Sequence, residues 1–432
     1  MDKHEKIQDV IGRQRDRYVA FLQDLVKTSA AGEEATQQLV AEKLRQLDCE
    51  VEMVGYQPQD VEVDHEFAAL EAMDTSERVC VVGRFAGLGG GRSVIFFAHP
   101  DGEEVAGIDR WQRDPFGGVI EDGRLYGWAV ADDLLGVATM VCALNAVLAA
   151  GMAPKGDVIL ASTPSKRNAR GVVFVLNQGY NADAAIYLHP AESGDGLAEI
   201  KAFASGLLRF RITVPGRLPD TGEPSHTALY HLSIDPIRKA WLVYQGLQEL
   251  AERRASEVFH ARLDAAVGRS TNLQVAYIHG GDEKRLSRVS PECVLAGSVT
   301  FPPGENVSHV QSQILEAVRA VSERDDWLRE HQPTVEWIVG ISGAEVSEDH
   351  PLYRTLSQAV MAVTGRDPHV NVLHSASDIR NPILHKGIPT VGLGSLAGDL
   401  SQTGGHDEWV DVDDYIRAVK VIALAVLDWC GA

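Results

Sequence analysis

Hydrophobic positions along this chain recur with two different periods. In the first 50 residues, Ile7, Val10, Ile11, Tyr18, Phe21, Leu22 and Leu25 fall near helical spacing, and Thr28 to Gly32 divides the stretch into two amphipathic helices. Short β-branched runs follow (RVCVVGRF, SVIFFAH, VILAST and AAIYLH), interleaved with helical stretches at about Leu134 to Leu148 and Gly171 to Gln178. Strands alternating with helices predict an α/β domain with a mostly parallel central sheet and a ligand site at the C-terminal ends of its strands. From about Gly206 the pattern changes. LLRFRITV, a helix around Asp235 to Arg253, NLQVAYIHGG, CVLAGSVTF and a helix at Val307 to Val321 read as a compact α+β insert. The α/β pattern resumes with TVEWIVGI, a helix from His350 to Thr364, the strand PTVGLG and a last helix from Asp413 to Cys430. The chain therefore divides into an α/β domain built from 1–205 and 329–432, interrupted by a smaller α+β domain at 206–328.

Composition narrows the function classes. With 432 residues, 45% of them hydrophobic, the chain builds a core without a disulfide or metal staple. Lys and Arg number 40 against 61 Asp and Glu, a net charge of -21, which argues against a nucleic-acid or anionic-membrane partner. A small anionic substrate remains compatible, because a pocket can be locally basic. The 5 cysteines are scattered with no C-x-x-C pair, as in a reducing compartment. The charged N-terminus has no apolar signal core, and no run approaches the roughly 18 apolar residues of a membrane span, so a cytoplasmic location is expected. The Gly-rich GLGGGR lies between two strands with no following helix and reads as a turn rather than a phosphate loop.

Two predicted strands end in residues that bind metals. SVIFFA runs into His99-Pro100-Asp101, and AAIYL runs into His189-Pro190. An Asp two residues after a histidine can orient the ring, a role that ligating histidines need filled. Asp132-Asp133 opens the apolar helix LLGVATMVCALNAVLAA, where a carboxylate can also act simply as an N-cap.

The order and spacing of these residues resemble the aminoacylase/acetylornithine deacetylase/carboxypeptidase family of metallohydrolases. HPD, WQRDPFGG and EDGRLYGWAVADD match its first metal-binding region, which reads H-x-D, W-x-x-D-P-F and D-G-x-L-Y-G-R-G-x-x-D. PSH, ending in His226, resembles its lid motif, SPECVLAGSVTFPPGE its returning lid strand, and SDIR with GIPTVG its C-terminal substrate region. The resemblance implies a catalytic domain interrupted by a lid that also dimerises, making a homodimer. It also implies two zinc-like ions bridged by one Asp, beside a Glu general base. His99, bridging Asp132 and the residue at His189 would hold the first ion.

The chain departs from that family at the second ion. Where a Glu-Glu pair is expected, six residues before Gly171, stand Ser165 and Lys166. The C-terminal histidine position falls on Gly404, while the nearest histidine is His406. A single divalent ion per subunit is therefore expected, held by His99, Asp132 and His189, with zinc, manganese or iron all suited to that donor set. Such an ion lowers the pKa of a bound water and generates a nucleophile without the lost Glu. His226 resembles the family's oxyanion-stabilising lid histidine and, with Asp101, is a catalytic candidate. Arg288, Arg380 and His374 are candidates for binding an anionic substrate, the arginines as two-pronged contacts, and Glu192 is a further candidate for moving protons. The expected reaction is hydrolytic deamination of an activated aromatic amine carboxylate of the nitroanthranilate type, releasing ammonia. The alternatives are an amidohydrolase, deacylase or carboxypeptidase acting on N-acyl amino acids, and an inactive binding protein on the same fold.

Overall fold

A computed structural model describes residues 3–103, 108–190, 194–399 and 405–431. Among these, six strands form the central sheet in the order Glu50–Tyr56, Arg78–Phe85, Val158–Ser162, Val94–Ala98, Ala185–Leu188, Thr390–Leu393. The last four in that order run parallel, and Arg78–Phe85 joins them antiparallel. The parallel strands are buried along their whole length because helices cover both faces of the sheet, so they read as continuous apolar runs.

The helices Lys3–Ser29, Leu135–Ala149 and Val412–Cys430 share one large core with a face of that sheet. The window Val130–Ala149 is long and apolar enough to cross a membrane, yet 94% of it is buried inside the protein. It is apolar all round because it is the central helix of the core.

A second sheet, antiparallel throughout, has the order Asn272–His279, Glu292–Phe301, Gly206–Pro215, Thr334–Ile341, Glu66–Ala68. The helices Pro236–Glu257 and Val307–Glu323 cover it through Val243, Leu247, Leu250, Val310 and Ile314. This is the α+β lid. Its membership corrects the expected boundary at 328/329. Thr334–Ile341 belongs to the lid sheet, where it pairs with Gly206–Pro215, and a three-residue strand from the first segment, Glu66–Ala68, pairs with it in turn. The cause is antiparallel pairing between segments far apart in sequence, which periodicity cannot register.

Two features of this architecture place the site. The strands Val94–Ala98 and Ala185–Leu188 are parallel neighbours, with Ile95 opposite Ala185 and Phe97 opposite Tyr187. Continuing that register sets His99 level with His189 at the strand ends. Prolines follow both histidines, and each removes a backbone donor and so helps end its strand. The second feature is Gly136, at the start of the central helix. A Cβ there would lie 2.1 Å from the Leu188 carbonyl oxygen and 2.6 Å from Asp133 Oδ1. Only glycine lets the Asp132-Asp133 turn approach the strand that carries His189. The Gly136→Ala protein is expected to lose about 1–3 kcal/mol of stability, in the range of overpacking, seen as a lower thermal midpoint, and to hold metal more weakly. An unchanged midpoint together with full metal content would show that this approach is not needed.

Candidate metal centre

His99, Asp132 and His189 converge at the C-terminal ends of the parallel strands. Asp132 and Asp133 have non-helical backbone angles in the turn before the central helix, and the two carboxylates divide their tasks. Asp133 Oδ1 accepts from the Gly136 N–H at 3.1 Å and Oδ2 from the His99 N–H at 3.2 Å, so Asp133 fastens the helix start to the strand end. Asp132 turns toward the two histidines and Lys166. Its Oδ1 lies 2.8 Å from His99 Nε2 and 2.9 Å from His189 Nε2, and its Oδ2 lies 2.5 Å from Lys166 Nζ. The Glu408 carboxylate accepts the backbone N–H groups of Ala131 and Asp132 at 2.8 and 3.1 Å and holds the turn in place.

One donor atom from each of His99, Asp132 and His189 lies within 4.8 Å of the other two. The far nitrogen of each ring is occupied: His99 Nδ1 lies 2.7 Å from the Asp101 carbonyl oxygen and His189 Nδ1 2.9 Å from that of Pro190. A ring that donates from Nδ1 turns a lone pair at Nε2 toward the Asp132 oxygen. Three lone pairs then face one another, which is stable only with protons or a cation between them. Two imidazoles and a carboxylate fit a divalent transition metal.

The charges around this cluster are strongly coupled. Burial pushes the His99 pKa down, and so does Lys166, but Asp101 and Asp132 outweigh both and lift it to about 10. Burial also opposes the charge of His189, yet Asp132 raises its pKa. Burial would raise Asp132, but His189 and Lys166 hold it well below the carboxylate range. Asp133, which lacks a cationic side chain in hydrogen-bonding contact, is pushed up by burial to about 7.

Asp101 supports the cluster from beneath. Its carboxylate accepts from Arg78 at 2.7 Å and from the backbone N–H groups of Ser165 and Lys166 at 3.0 and 2.9 Å. Arg78 is itself paired with Glu33. Burial opposes the charge on Asp101, but His99 and Arg78 prevail and hold its pKa at about 2. Asp101 was expected to orient His99 or its neighbours: its carbonyl oxygen faces the His99 ring, and its carboxylate, 3.4 Å from that ring, anchors the neighbouring loop that carries Lys166.

A cleft of about 170 Å³ opens over these residues, lined by His99, Ser165, Lys166, Tyr187, His189 and the segment from Ala376 to Asp378 with Arg380. Asp378 also lines this cleft, a residue to which sequence reasoning gave no role of its own. It accepts hydrogen bonds from Ser165 Oγ and, at 3.3 Å, from Tyr187 Oη. Its motif, SDIR, brings both Asp378 and Arg380 to the cleft wall. Arg380, expected to receive substrate, is committed to Asp378 at 2.9 Å and to Glu66. This corrects that expectation: a guanidinium balanced by two carboxylates has no net charge to offer.

His374 is likewise engaged, near Thr300 Oγ1 at 3.2 Å and the Arg269 carbonyl at 2.8 Å, and is absent from the cleft wall. His226 and Arg288 lie opposite each other in a backbone bridge on the lid, where His226 Nδ1 caps the turn Thr227–Leu232 by accepting from Ala228. Neither lines the cleft within one chain. His406 does not join the cluster of metal-type donors found among the described residues. Gly404 and Glu192 lie outside the described residues.

With this geometry established, comparison with known proteins identifies the family. The sequence profile described as Peptidase family M20/M25/M40 matches residues 95–428, more than half of the chain. The protein belongs to the M20 family. Its sequence is 28% identical over 360 residues, 78% of this chain and 80% of the relative, to N-formyl-4-amino-5-aminomethyl-2-methylpyrimidine deformylase of Bacillus subtilis (strain 168). It is also 28% identical over 354 residues, 80% of this chain and 81% of the relative, to succinyl-diaminopimelate desuccinylase of Leptothrix cholodnii. The fold superposes on the crystal structure of human carnosine dipeptidase 1 with a TM-score of 0.71 and 15% identity, covering 100% of both chains. As an M20 protein it is a metal-dependent hydrolase acting on C–N bonds.

The coupled charges predict how this M20 centre loads. Both imidazoles must be neutral to ligate, whereas their pKa values in the ion-free cluster are raised. Zinc binding near neutral pH should therefore release roughly one to two protons per ion, and affinity should rise with pH, because protons compete for the same lone pairs. Calorimetric titration in buffers of different ionisation heat measures this. Binding without proton release would show that the imidazoles are not ligands.

Proposed function

We propose that this protein is an amidohydrolase that removes an acyl group from an N-acylated amine or amino acid, using one divalent ion held by His99, Asp132 and His189. The observation that carries this reading is the position of Asp378. Amide cleavage needs a group that accepts a proton from water and returns one to the leaving amine. The resemblance places a Glu in that role, and Ser165 stands there instead. Asp378, reaching in from the C-terminal segment, is hydrogen-bonded to Ser165 Oγ and brings a carboxylate to the same corner of the cleft. Its pKa is opposed by burial but lowered by Arg380 and Ser165, so it is ionised at neutral pH and able to take a proton.

A divalent ion at this centre would supply Lewis-acid polarisation and acidify a bound water. The chain's own residues do the remaining work. The Asp101 carbonyl and the Pro190 carbonyl fix the two rings, and Asp133 and Glu408 fix the turn that presents Asp132. The Lys166 ammonium, 2.5 Å from the Asp132 oxygen that faces away from the histidines, places a positive charge where the family resemblance puts a second ion. A tethered cation there repels a free one, and it is placed to stabilise negative charge developing on a substrate carbonyl oxygen.

Relatives named as a deformylase and a desuccinylase support cleavage of an acyl C–N bond over deamination of an aromatic ring. None of them supports a nitroanthranilate-type substrate. The reading leads to three expectations. N-formyl and N-succinyl amines are turned over, whereas nitro-substituted aryl amines release no ammonia. Asp378→Asn keeps its metal but loses roughly 10²–10⁴ in kcat, and full activity of that variant would remove Asp378 from the reaction. Elemental analysis finds one ion per chain in the native protein and two in Lys166→Glu. Two ions in the native protein would overturn the tethered-cation reading.

We further propose that the lid associates with a second copy of the chain. On the outer strand Asn272–His279 and the neighbouring helix, Trp241 is 57%, Ile278 54% and Ile237 50% exposed. Exposed apolar side chains on adjoining elements of the lid support association there. Trp241→Glu is expected to halve the mass measured by sedimentation. A native protein already monomeric at working concentration would refute the pairing.

A further inference from the structure

A further cavity, of about 130 Å³, lies on the helical face of the catalytic domain, where the helices Lys3–Ser29, Glu33–Arg45 and Leu135–Ala149 pack together. Among the described residues it shares none with the wall of the metal cleft. Phe21, Leu47, Val141 and Cys142, all buried, make an apolar floor. An apolar cavity of about 150 Å³ holds one benzene ring, so this floor accommodates a single ring or a short branched chain.

The rim above that floor is charged. Arg17 and Lys43 stand on it together with Asp24. None of the three has an ion-pair partner among the described residues, although the chain carries 61 acidic side chains against 40 basic ones. Lys43 Nζ lies over the Phe21 ring, 5.5 Å from its centroid, so the ammonium borders the apolar floor. Burial pushes the Cys142 thiol up to about 12, while Tyr415, Arg17 and Lys43 oppose that rise, so both cations are felt at the floor. On the inner wall Tyr18 donates its phenol proton to Asn145 Oδ1 at 2.9 Å. The Asn145 amide nitrogen is left as a donor with no acceptor among the described residues. Two cations and one carboxylate give the rim one net positive charge.

We propose that this cavity is a second ligand site, separate from the metal cleft, which binds a small monocarboxylate with a single-ring or short branched apolar body. The apolar body fills the space over Phe21 and Val141, where its burial removes apolar surface from water. The carboxylate meets the Arg17 guanidinium and the Lys43 ammonium at the rim, the first of them suited to a two-pronged contact. Asn145 adds a neutral donor. Asp24 sets the charge of the ligand. One net positive charge balances a monoanion, whereas the second charge of a phosphate monoester meets the Asp24 carboxylate uncompensated. Neither the metal nor the acyl-cleaving reading is needed for this site.

The test is a calorimetric titration of benzoate into metal-loaded protein at low salt, repeated with Arg17→Ala, Ala20→Trp and His189→Ala. Ala20 is an exposed residue of the cavity wall, so a tryptophan there closes the cavity without removing a charge or disturbing the core. Unchanged thermal midpoints check that both cavity variants fold. Saturable binding of one benzoate per chain is expected in the native protein and in His189→Ala, which lacks an intact metal site but keeps this cavity. Affinity falls about tenfold or more in Arg17→Ala, the loss of one charge-assisted contact, and binding disappears in Ala20→Trp. Benzamide, which lacks the charge, and acetate, which lacks the ring, each bind more weakly than benzoate. Unchanged affinity in either cavity variant, or no saturable binding of benzoate in the millimolar range, would overturn the site. Binding lost in His189→Ala would also defeat it, because the anion then sits on the metal. Phenyl phosphate binding more tightly than benzoate would refute the assignment to a monoanion, and acetate binding as tightly as benzoate would remove the apolar floor from recognition.

Discussion

The carboxylate of Asp132 is buried, and a charge in that environment is tolerated only where its partners are fixed. One oxygen faces two imidazoles and the other faces an ammonium. That single group therefore decides how His99, His189 and Lys166 sit relative to one another. It also decides the electrostatics, since two of those groups have their pKa values raised chiefly by it and the third by it together with Asp101. A divalent ion held by the two histidines would replace protons there, while the other Asp132 oxygen contacts Lys166. The centre is thus asymmetric: one face of Asp132 is suited to a metal and the other is already neutralised by a side chain.

The surrounding structure holds this arrangement rigid through a chain of opposite charges. Glu33 on the second helix pairs with Arg78, Arg78 with Asp101, and Asp101 holds the loop of Ser165 and Lys166. A parallel chain runs from Ser165 through Asp378 and Arg380 to Glu66. Glu66 is on the short strand that completes the lid sheet, so this second chain ties the cleft to the lid. Each link is buried or half-buried, where a missing partner leaves an uncompensated charge, and substitutions at Glu33, Arg78 or Glu66 are felt at the cleft without touching it.

Much of the fold was readable along the chain because its elements declare themselves locally. The parallel strands are unbroken apolar runs, the surface helices carry an apolar stripe, and glycine, proline and acidic caps mark many of the ends. The metal-type residues were readable for a related reason. A histidine followed by proline at the end of a buried strand, and an Asp pair at the mouth of an apolar helix, are costly choices unless something uses them. What escaped were residues whose meaning depends on a distant partner. Arg78 and Glu66 look like ordinary surface charges in sequence, Arg380 looks like a ligand for an anion, and Thr334–Ile341 looks like a return to the catalytic sheet.

The amino-acid sequence by itself determined the alternation of strands and helices, the lid insertion, the three residues that can hold a metal, and the replacement of a carboxylate pair by Ser165 and Lys166. These are properties of periodicity and of side-chain chemistry at single positions. Tertiary structure decided which carboxylate stands beside Ser165, which arginine is already neutralised and which are not, and that the Lys166 ammonium turns toward Asp132 rather than toward solvent. Those outcomes depend on pairings across tens to hundreds of residues, where burial sets the strength of each charge and the fold alone sets its distance.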